Sequence, residues 1–237
     1  MEIIEIGTLA MQLHRKSIKN LHISVLPPDG RIRISAPESM TDTSIRMAVI
    51  SRIPWIKKQK SDFDKQPRQS DREMISGECH YLWGKRFRLN IVEHGGKYRV
   101  QKGRGKLHLY VKSETSLSSK ILVLQEFYRH ELKTRINDLL ASWEDKIGVT
   151  TNAWGVKKMK TKWGSCNIQE KRIWLNLELA KKPPECLEYI LVHELVHLLE
   201  RKHNERFKAY MEEFLPSWRE RRDLLNKMPL AHNHWLY

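Results

Sequence analysis

An α+β fold is predicted by three observations. Short segments of alternating apolar and polar residues, separated by Gly, Pro and Asp turns, fill most of residues 1–112. From Ser116 to about Lys146 apolar residues recur every three or four positions without a break. Farther on, Leu187, Ile190, Leu191, Leu195, Val196, Leu198 and Leu199 cover most of the circumference of a second, buried helix. The expected organisation is therefore a β-rich region with one helix over residues 1–112, followed by a helix-dominated domain over 113–237.

Composition narrows the class. With 237 residues, 40% of them hydrophobic, the chain can bury a genuine core. No run approaches the length of a membrane span, so no membrane partner is expected. The opening MEIIEIGTLAMQLHRKS has no basic stretch leading into an apolar one, and no secretory signal is expected. Three cysteines (Cys79, Cys166, Cys186) are too few and too scattered for a disulfide framework or a zinc ribbon. A reducing, cytoplasmic setting follows. The net charge of +15 leaves two readings open: a surface that meets nucleic acid, or a solvated basic surface that aids solubility.

In order, Ile3, Ile4 and Ile6 open an apolar segment, and His22–Val25 and Arg31–Ser35 alternate on either side of a Pro27-Pro28-Asp29-Gly30 turn, a hairpin pattern. Thr41 to about Lys60 has helical spacing (Ile45, Ala48, Val49, Ile53, Ile56), with Thr41 or Thr43 as N-cap and Pro54 placed to kink or split it. Arg52, Lys57, Lys58 and Lys60 surround Trp55 there, either as a nucleic-acid patch or as a solvated helix face. Residues 61–77 are polar and aperiodic, a loop. Phe87, Leu89 and Ile91, then Tyr98 and Val100, then Leu107, Leu109 and Val111 mark further strands. Between the last two sets, Gln101–Lys106 is a basic hairpin turn able to touch phosphate, without the spacing of a phosphate-binding loop. The long helix follows, ended by Gly148. Residues 150–179 are expected to form two antiparallel strands, with Lys162-Trp163-Gly164-Ser165-Cys166 as a turn and Ile173–Leu177 as the second strand. Pro183 and Pro184 then start the buried helix.

That buried helix carries His193-Glu194-Leu195-Val196-His197. Histidines four apart share one helical face, so both imidazoles can reach one metal ion, and the glutamate between them can touch a water beside it. Buried and unpartnered, these groups would be costly; a metal is the simplest way to satisfy them. Catalytic zinc keeps three protein ligands and one open position. His203 is the preferred third ligand. On a continuous helix it would lie roughly 240° round and about 9 Å beyond His197, so the helix must end or bend near Leu199–Lys202. A glutamate of the next helix, Glu212 or Glu213, is the alternative.

Trp163-Gly164-Ser165-Cys166, Ile173-x-Leu175-Asn176, and His193-Glu194-Leu195-Val196-His197 with His203 and Phe207 together resemble the YgjP-like metallopeptidase family, which is itself similar to SprT-like zinc proteases. Gly77–Arg88 (GECHYLWGKRFR) extends the resemblance toward the N-terminus. The resemblance implies a zincin-like metallopeptidase domain: a backing helix, a small antiparallel sheet and the HExxH helix. It implies Zn2+ held by His193, His197 and His203, Glu194 as general base, and a protein or peptide substrate. Metzincins share the His-x5-His spacing but carry glycine where Glu200 stands here.

The implied reaction is peptide hydrolysis by a zinc-activated water, with Glu194 moving the proton. An extended substrate would pair with the edge of Ile173–Leu177. Asn176 and Trp163 either shape the cleft or serve packing, and Cys166 is either a fourth, inhibitory ligand or a buried thiol. His232 and His234 read either as an ordinary tail or as residues that touch the metal. The substrates include, in one reading, DNA-associated proteins. The competing reading is a basic nucleic-acid-binding protein with a structural or vestigial zinc, and a third is a zinc hydrolase of a non-peptide amide.

Overall fold

The structure is a computed structural model describing residues 2–26, 30–65, 73–159 and 162–227. Its contacts group into two compact units, one drawn from Met1–Ser70 and the other from Asp71–Met228.

In the first unit, β1 (Glu2–Ile6), β2 (Leu9–Lys16), β3 (His22–Leu26) and β4 (Arg31–Pro37) form one sheet in the order β1-β2-β4-β3. The expected hairpin is real: β3 and β4 pair antiparallel from His22↔Ser35 to Leu26↔Arg31. β4 also runs parallel to β2. Alternation puts Met11, Leu13, Ile32, Ile34 and Ala36 on one face, where they bury with Ile45, Val49 and Ile56 of the helices. The helical stretch is split into α1 (Asp42–Ile50) and α2 (Ile53–Lys65). Thr41 caps the first, its hydroxyl accepting from the Ser44 amide at 3.3 Å. Pro54 falls in the first turn of the second, where its missing N–H is harmless. Helix α2 also absorbs residues 61–65, expected to be loop. Pro27–Asp29, residues 66–72, and the tail with His232 and His234 lie outside the described residues.

The second unit opens with the same strand order: β5 (Cys79–Leu82), β6 (Lys85–Glu93), β7 (Arg99–Lys102) and β8 (Lys106–Val111) are arranged β5-β6-β8-β7, again with the inner pair parallel. Sheet and helical residues share one core that includes Leu89, Leu107, Leu109, Leu132, Ile136, Leu175, Leu187 and Leu191. The β5–β6 turn is Trp83-Gly84, with φ of 51° and 75°, joining the paired Leu82 and Lys85. Positive φ at both positions suits the twist of a two-residue hairpin. Trp83, a bulky residue to find there, is held from outside: its indole N–H donates to Glu131 at 3.2 Å and its amide to the Ala180 carbonyl at 2.8 Å. Gly84 also abuts Pro183; an added Cβ would sit 2.9 Å from its Cγ and 3.2 Å from its nitrogen. Gly84→Ala is therefore expected to lower stability by about 1–3 kcal/mol, combining left-handed strain with overpacking against backbone. Equilibrium urea unfolding would measure this, and a change within 0.5 kcal/mol (about the noise of a neutral surface substitution) would refute it.

The long helix is α3 (Leu117–Ile147), capped by Ser116 at its start and by Gly148 at φ 74°. Its stripe of Leu124, Tyr128, Leu132, Ile136, Trp143 and Ile147 is buried. Next, β9 (Ala153–Lys157), β10 (Gly164–Asn167) and β11 (Arg172–Asn176) form a three-stranded sheet in the order β10-β11-β9. Two expectations are corrected here. Gly164-Ser165-Cys166 is not a turn but most of a strand, paired antiparallel with β11 through a hairpin whose loop is shaped by Asn167, its side-chain oxygen accepting from the amides of Gln169 and Glu170. The pair expected to be antiparallel, β9 and β11, is parallel, because β10 intervenes in the chain. A 3₁₀ turn (Leu177–Lys181) leads to α4 (Pro184–Val196), then α5 (Glu205–Phe214) and α6 (Trp218–Lys227). Among the described residues no helix is long and apolar enough to cross a membrane.

Candidate metal centre

Helix α4 is apolar on nearly every side, and Leu187, Leu191, Val192, Leu195 and Val196 are fully buried. That burial holds the helix rigidly, and with it His193, Glu194 and, at its C-cap, His197. The α-helix stops there. A tight turn follows, with the amides of Leu198 and Leu199 donating to the carbonyls of Leu195 and Val196 at 2.9 Å each. The chain reverses through residues 199–204, and Asn204 caps α5 by accepting from the Phe207 amide at 3.0 Å. This reversal brings His203 back over the helix. Its Nε2 lies 3.0 Å from Nε2 of His193.

The ligand-capable atoms of His193, His197 and His203 all lie within 4.8 Å of one another. Nδ1 of His197 is 3.1 Å from the Glu200 carbonyl. Donation to that carbonyl fixes the proton on Nδ1 and leaves Nε2 with a free lone pair, the tautomer a metal ligand needs. Burial, with His197 and His203 close by, pushes His193 down to about 3, so its imidazole is neutral. Burial lowers His197 as well. Three imidazoles converging on one point fit zinc or a similar ion, with a position left over for water. Beneath them lies the Phe207 ring, its centroid 4.8–4.9 Å from each imidazole. Neither alternative third ligand, Glu212 or Glu213, joins this group, and Glu212 pairs with Arg219 and accepts from the Trp218 indole at 3.1 Å.

Glu194 is 5% exposed. Burial pushes its carboxyl up to about 8, opposed by the charge of Lys162. It lines a cleft of about 940 Å³ together with the three histidines, Lys162–Gln169, Ile190 and Arg201. One wall of that cleft is β10, and the carboxylate lies flat against it. A Cβ on Gly164 would stand 2.5 Å from Oε1 and 2.9 Å from Cδ of Glu194. Only glycine lets strand and carboxylate come this close. Cys166 lines the same cleft, and burial first, then the nearby Glu194 charge, pushes its thiol up to about 11, away from the thiolate that binds metal. Asn176 packs rather than faces the cleft. Its amide donates to the carbonyls of Met159 (3.0 Å) and Lys162 (2.7 Å), and its oxygen caps the 3₁₀ turn at Glu178. The strand expected to dock substrate, β11, is paired on both sides, so the edge facing the cleft is β10.

Three contacts escaped sequence reasoning: Gly164 against Glu194, the Glu200 carbonyl on His197, and the Phe207 ring under the triad. Each joins residues through the fold rather than through a local pattern; the only sequence signal was that Gly164 and Phe207 stand in the recurring motif order.

A family model described as "YgjP-like, metallopeptidase domain" matches residues 19–228. No curated protein matches. Among solved structures, the zymogen of the metallopeptidase abylysin from Pyrococcus abyssi is similar at 22% identity and a TM-score of 0.36, over 40% of this chain and 99% of its own. The zymogen of jannalysin from Methanocaldococcus jannaschii matches at 25% identity and a TM-score of 0.32, over 40% of this chain and 92% of its own.

Proposed function

From the premise that this chain belongs to the YgjP-like metallopeptidase family, we propose that it is a zinc-dependent peptidase of zincin-like build, with His193, His197 and His203 holding the ion and Glu194 as general base. The zincin-like part begins at residue 113: α3 backs the sheet, β10 borders the cleft and α4 carries the motif. One observation carries the reading. Three imidazoles converge beside a buried carboxylate, in a cleft bordered by a strand edge.

When bound, zinc would supply Lewis acidity, lowering the pKa of a water to roughly 7 and polarising a carbonyl. The chain supplies the rest. An extended peptide adds to the edge of β10, whose backbone groups orient it and whose Gly164 keeps the approach open. Glu194 takes a proton from the attacking water and delivers it to the amine leaving the peptide. Phe207 and the Glu200 carbonyl keep the imidazoles in place. The net charge of +15 supports substrates that travel with nucleic acid, DNA-associated proteins among them.

The test is metal analysis and casein cleavage on the purified full chain, before and after chelation and zinc return. About one zinc per chain, with cleavage lost on chelation and restored by zinc, is expected. His203→Ala should weaken zinc binding by more than the roughly 10–100-fold that loss of a ligand's supporting hydrogen bond costs. A zinc-free protein, prepared without chelators, or cleavage indifferent to chelation, would sink the reading.

A further inference from the structure

The outward face of the β5–β8 sheet carries a second, independent signal. Alternation and register place Tyr81 on β5, Arg86, Arg88 and Asn90 on β6, Lys106, His108 and Tyr110 on β8, and Arg99 and Gln101 on β7 on that one face. The opposite face, with Leu82, Phe87, Leu89, Leu107 and Leu109, belongs to the core. By register, no Asp or Glu stands on the outward face among the described residues. Arg86, Arg88, Arg99 and Lys106 are exposed.

Two features set this face apart from an ordinary solvated sheet. Arg88 and Lys106 are direct partners across adjacent strands. Like charges placed opposite one another destabilise a sheet, and no carboxylate among the described residues relieves these two. The Arg88 amide also donates to the Gly105 carbonyl at 2.9 Å, which brings the Gly103–Gly105 turn and exposed Arg104 to the same corner. Beside this cluster lies an aromatic platform. The Arg99 guanidinium stacks 4.0 Å over the Tyr110 ring, whose hydroxyl donates to Gln101 at 3.3 Å. Asn90 and His108 form a polar pair at 3.0 Å, and Tyr81 is half-exposed on the neighbouring strand.

Alternate side chains along β6 are about 6.6 Å apart, a stride that lets Arg86 and Arg88 follow a phosphate backbone. Aromatic rings on a sheet face stack unpaired bases, which a duplex does not offer. We propose that the outward face of β5–β8 binds single-stranded nucleic acid, with Arg86, Arg88, Arg104 and Lys106 on phosphates and Tyr81 and the Arg99–Tyr110 stack under bases. The proposal is independent of the peptidase reading, since it uses none of the residues of the metal centre.

The experiment is fluorescence anisotropy of the full-length protein with labelled 12-nucleotide DNA and RNA strands, a duplex, and inorganic polyphosphate as competitor, across a salt series. Four phosphate contacts give a log–log salt slope of about −3, or roughly a fiftyfold loss of affinity between 50 and 200 mM salt. The Arg88→Gln/Lys106→Gln variant should reduce that slope by about 1.4, and Tyr81→Ala should weaken binding by about tenfold while Tyr81→Phe does not. Both exposed charges can be replaced without touching the core, so folding, checked by thermal melting, keeps the test valid. Lys57→Gln/Lys58→Gln on α2 is the control, expected to leave the slope unchanged. Tighter binding of either the DNA or the RNA strand supports the proposal and identifies the sugar. Three outcomes would overturn it: no single-strand binding at 50 mM salt, an α2 control as damaging as the sheet variant, or polyphosphate and duplex competing as well as a single strand.

Discussion

Glu194→Gln is expected to cut peptide hydrolysis by about 10²–10⁴-fold while zinc content stays near that of the wild type. The substitution keeps the shape of a side chain that is 5% exposed and removes only its ability to accept a proton. The imidazoles do not depend on it. Nδ1 of His197 is oriented by the Glu200 carbonyl, and His203 arrives by way of the α5 cap at Asn204. Stability gives a second readout. Burial opposes the charged form of Glu194, as its raised pKa of about 8 records, and a neutral amide escapes that penalty. The variant should therefore melt no lower than the wild type. Lost activity with lost zinc would mean that Glu194 has a structural task; retained activity would remove it from the chemistry.

Legibility followed the range of the interactions concerned. Helix α3 was readable nearly to the residue because its burial stripe, its Ser116 cap and its Gly148 terminator are all local. So was the shared face of His193 and His197, since residues four apart on a helix share a face whatever surrounds them. The turn that returns His203 followed from geometry alone, because no continuous helix could bring it within reach. What failed depended on partners distant in sequence. Strand β10 has the composition of a turn, with Gly164 and Ser165 in place of β-branched residues, and it is a strand because β11 hydrogen-bonds to it and α4 packs near it. The parallel pairing of β2 with β4 and of β6 with β8 was hidden for a similar reason. Each looks locally like a chain of hairpins, and only the assembled sheet reveals which strands are neighbours. The grouping of contacts on either side of residue 70 reflects shared burial of the β5–β8 sheet with α3 and α4, which periodicity does not report.

Gly164→Ala is the more discriminating substitution, because its effect should reach activity without passing through the fold. In an ordinary strand, alanine for glycine would be neutral or stabilising by roughly 0.5–1 kcal/mol. Gly164 is not among the residues with positive φ, so its backbone accepts alanine. The obstacle is Glu194: the new methyl would stand 2.5 Å from Oε1, and β10 cannot retreat without breaking its ladder to β11. The carboxylate is the movable partner and must swing away from the strand. A displacement of about 1 Å in a positioned group costs on the order of 100-fold in rate. Gly164→Ala should thus lower kcat by about that factor, with zinc content and melting temperature close to wild type. A double-mutant cycle isolates the cause. Glu194→Ala removes the carboxylate and also the Cγ that would stand 2.8 Å from the new methyl, so Gly164→Ala should cost the residual rate far less in that background than in the wild type. Independent, additive losses would show that the strand and the carboxylate act separately, and the close packing of Gly164 on Glu194 would then have no part in placing the base.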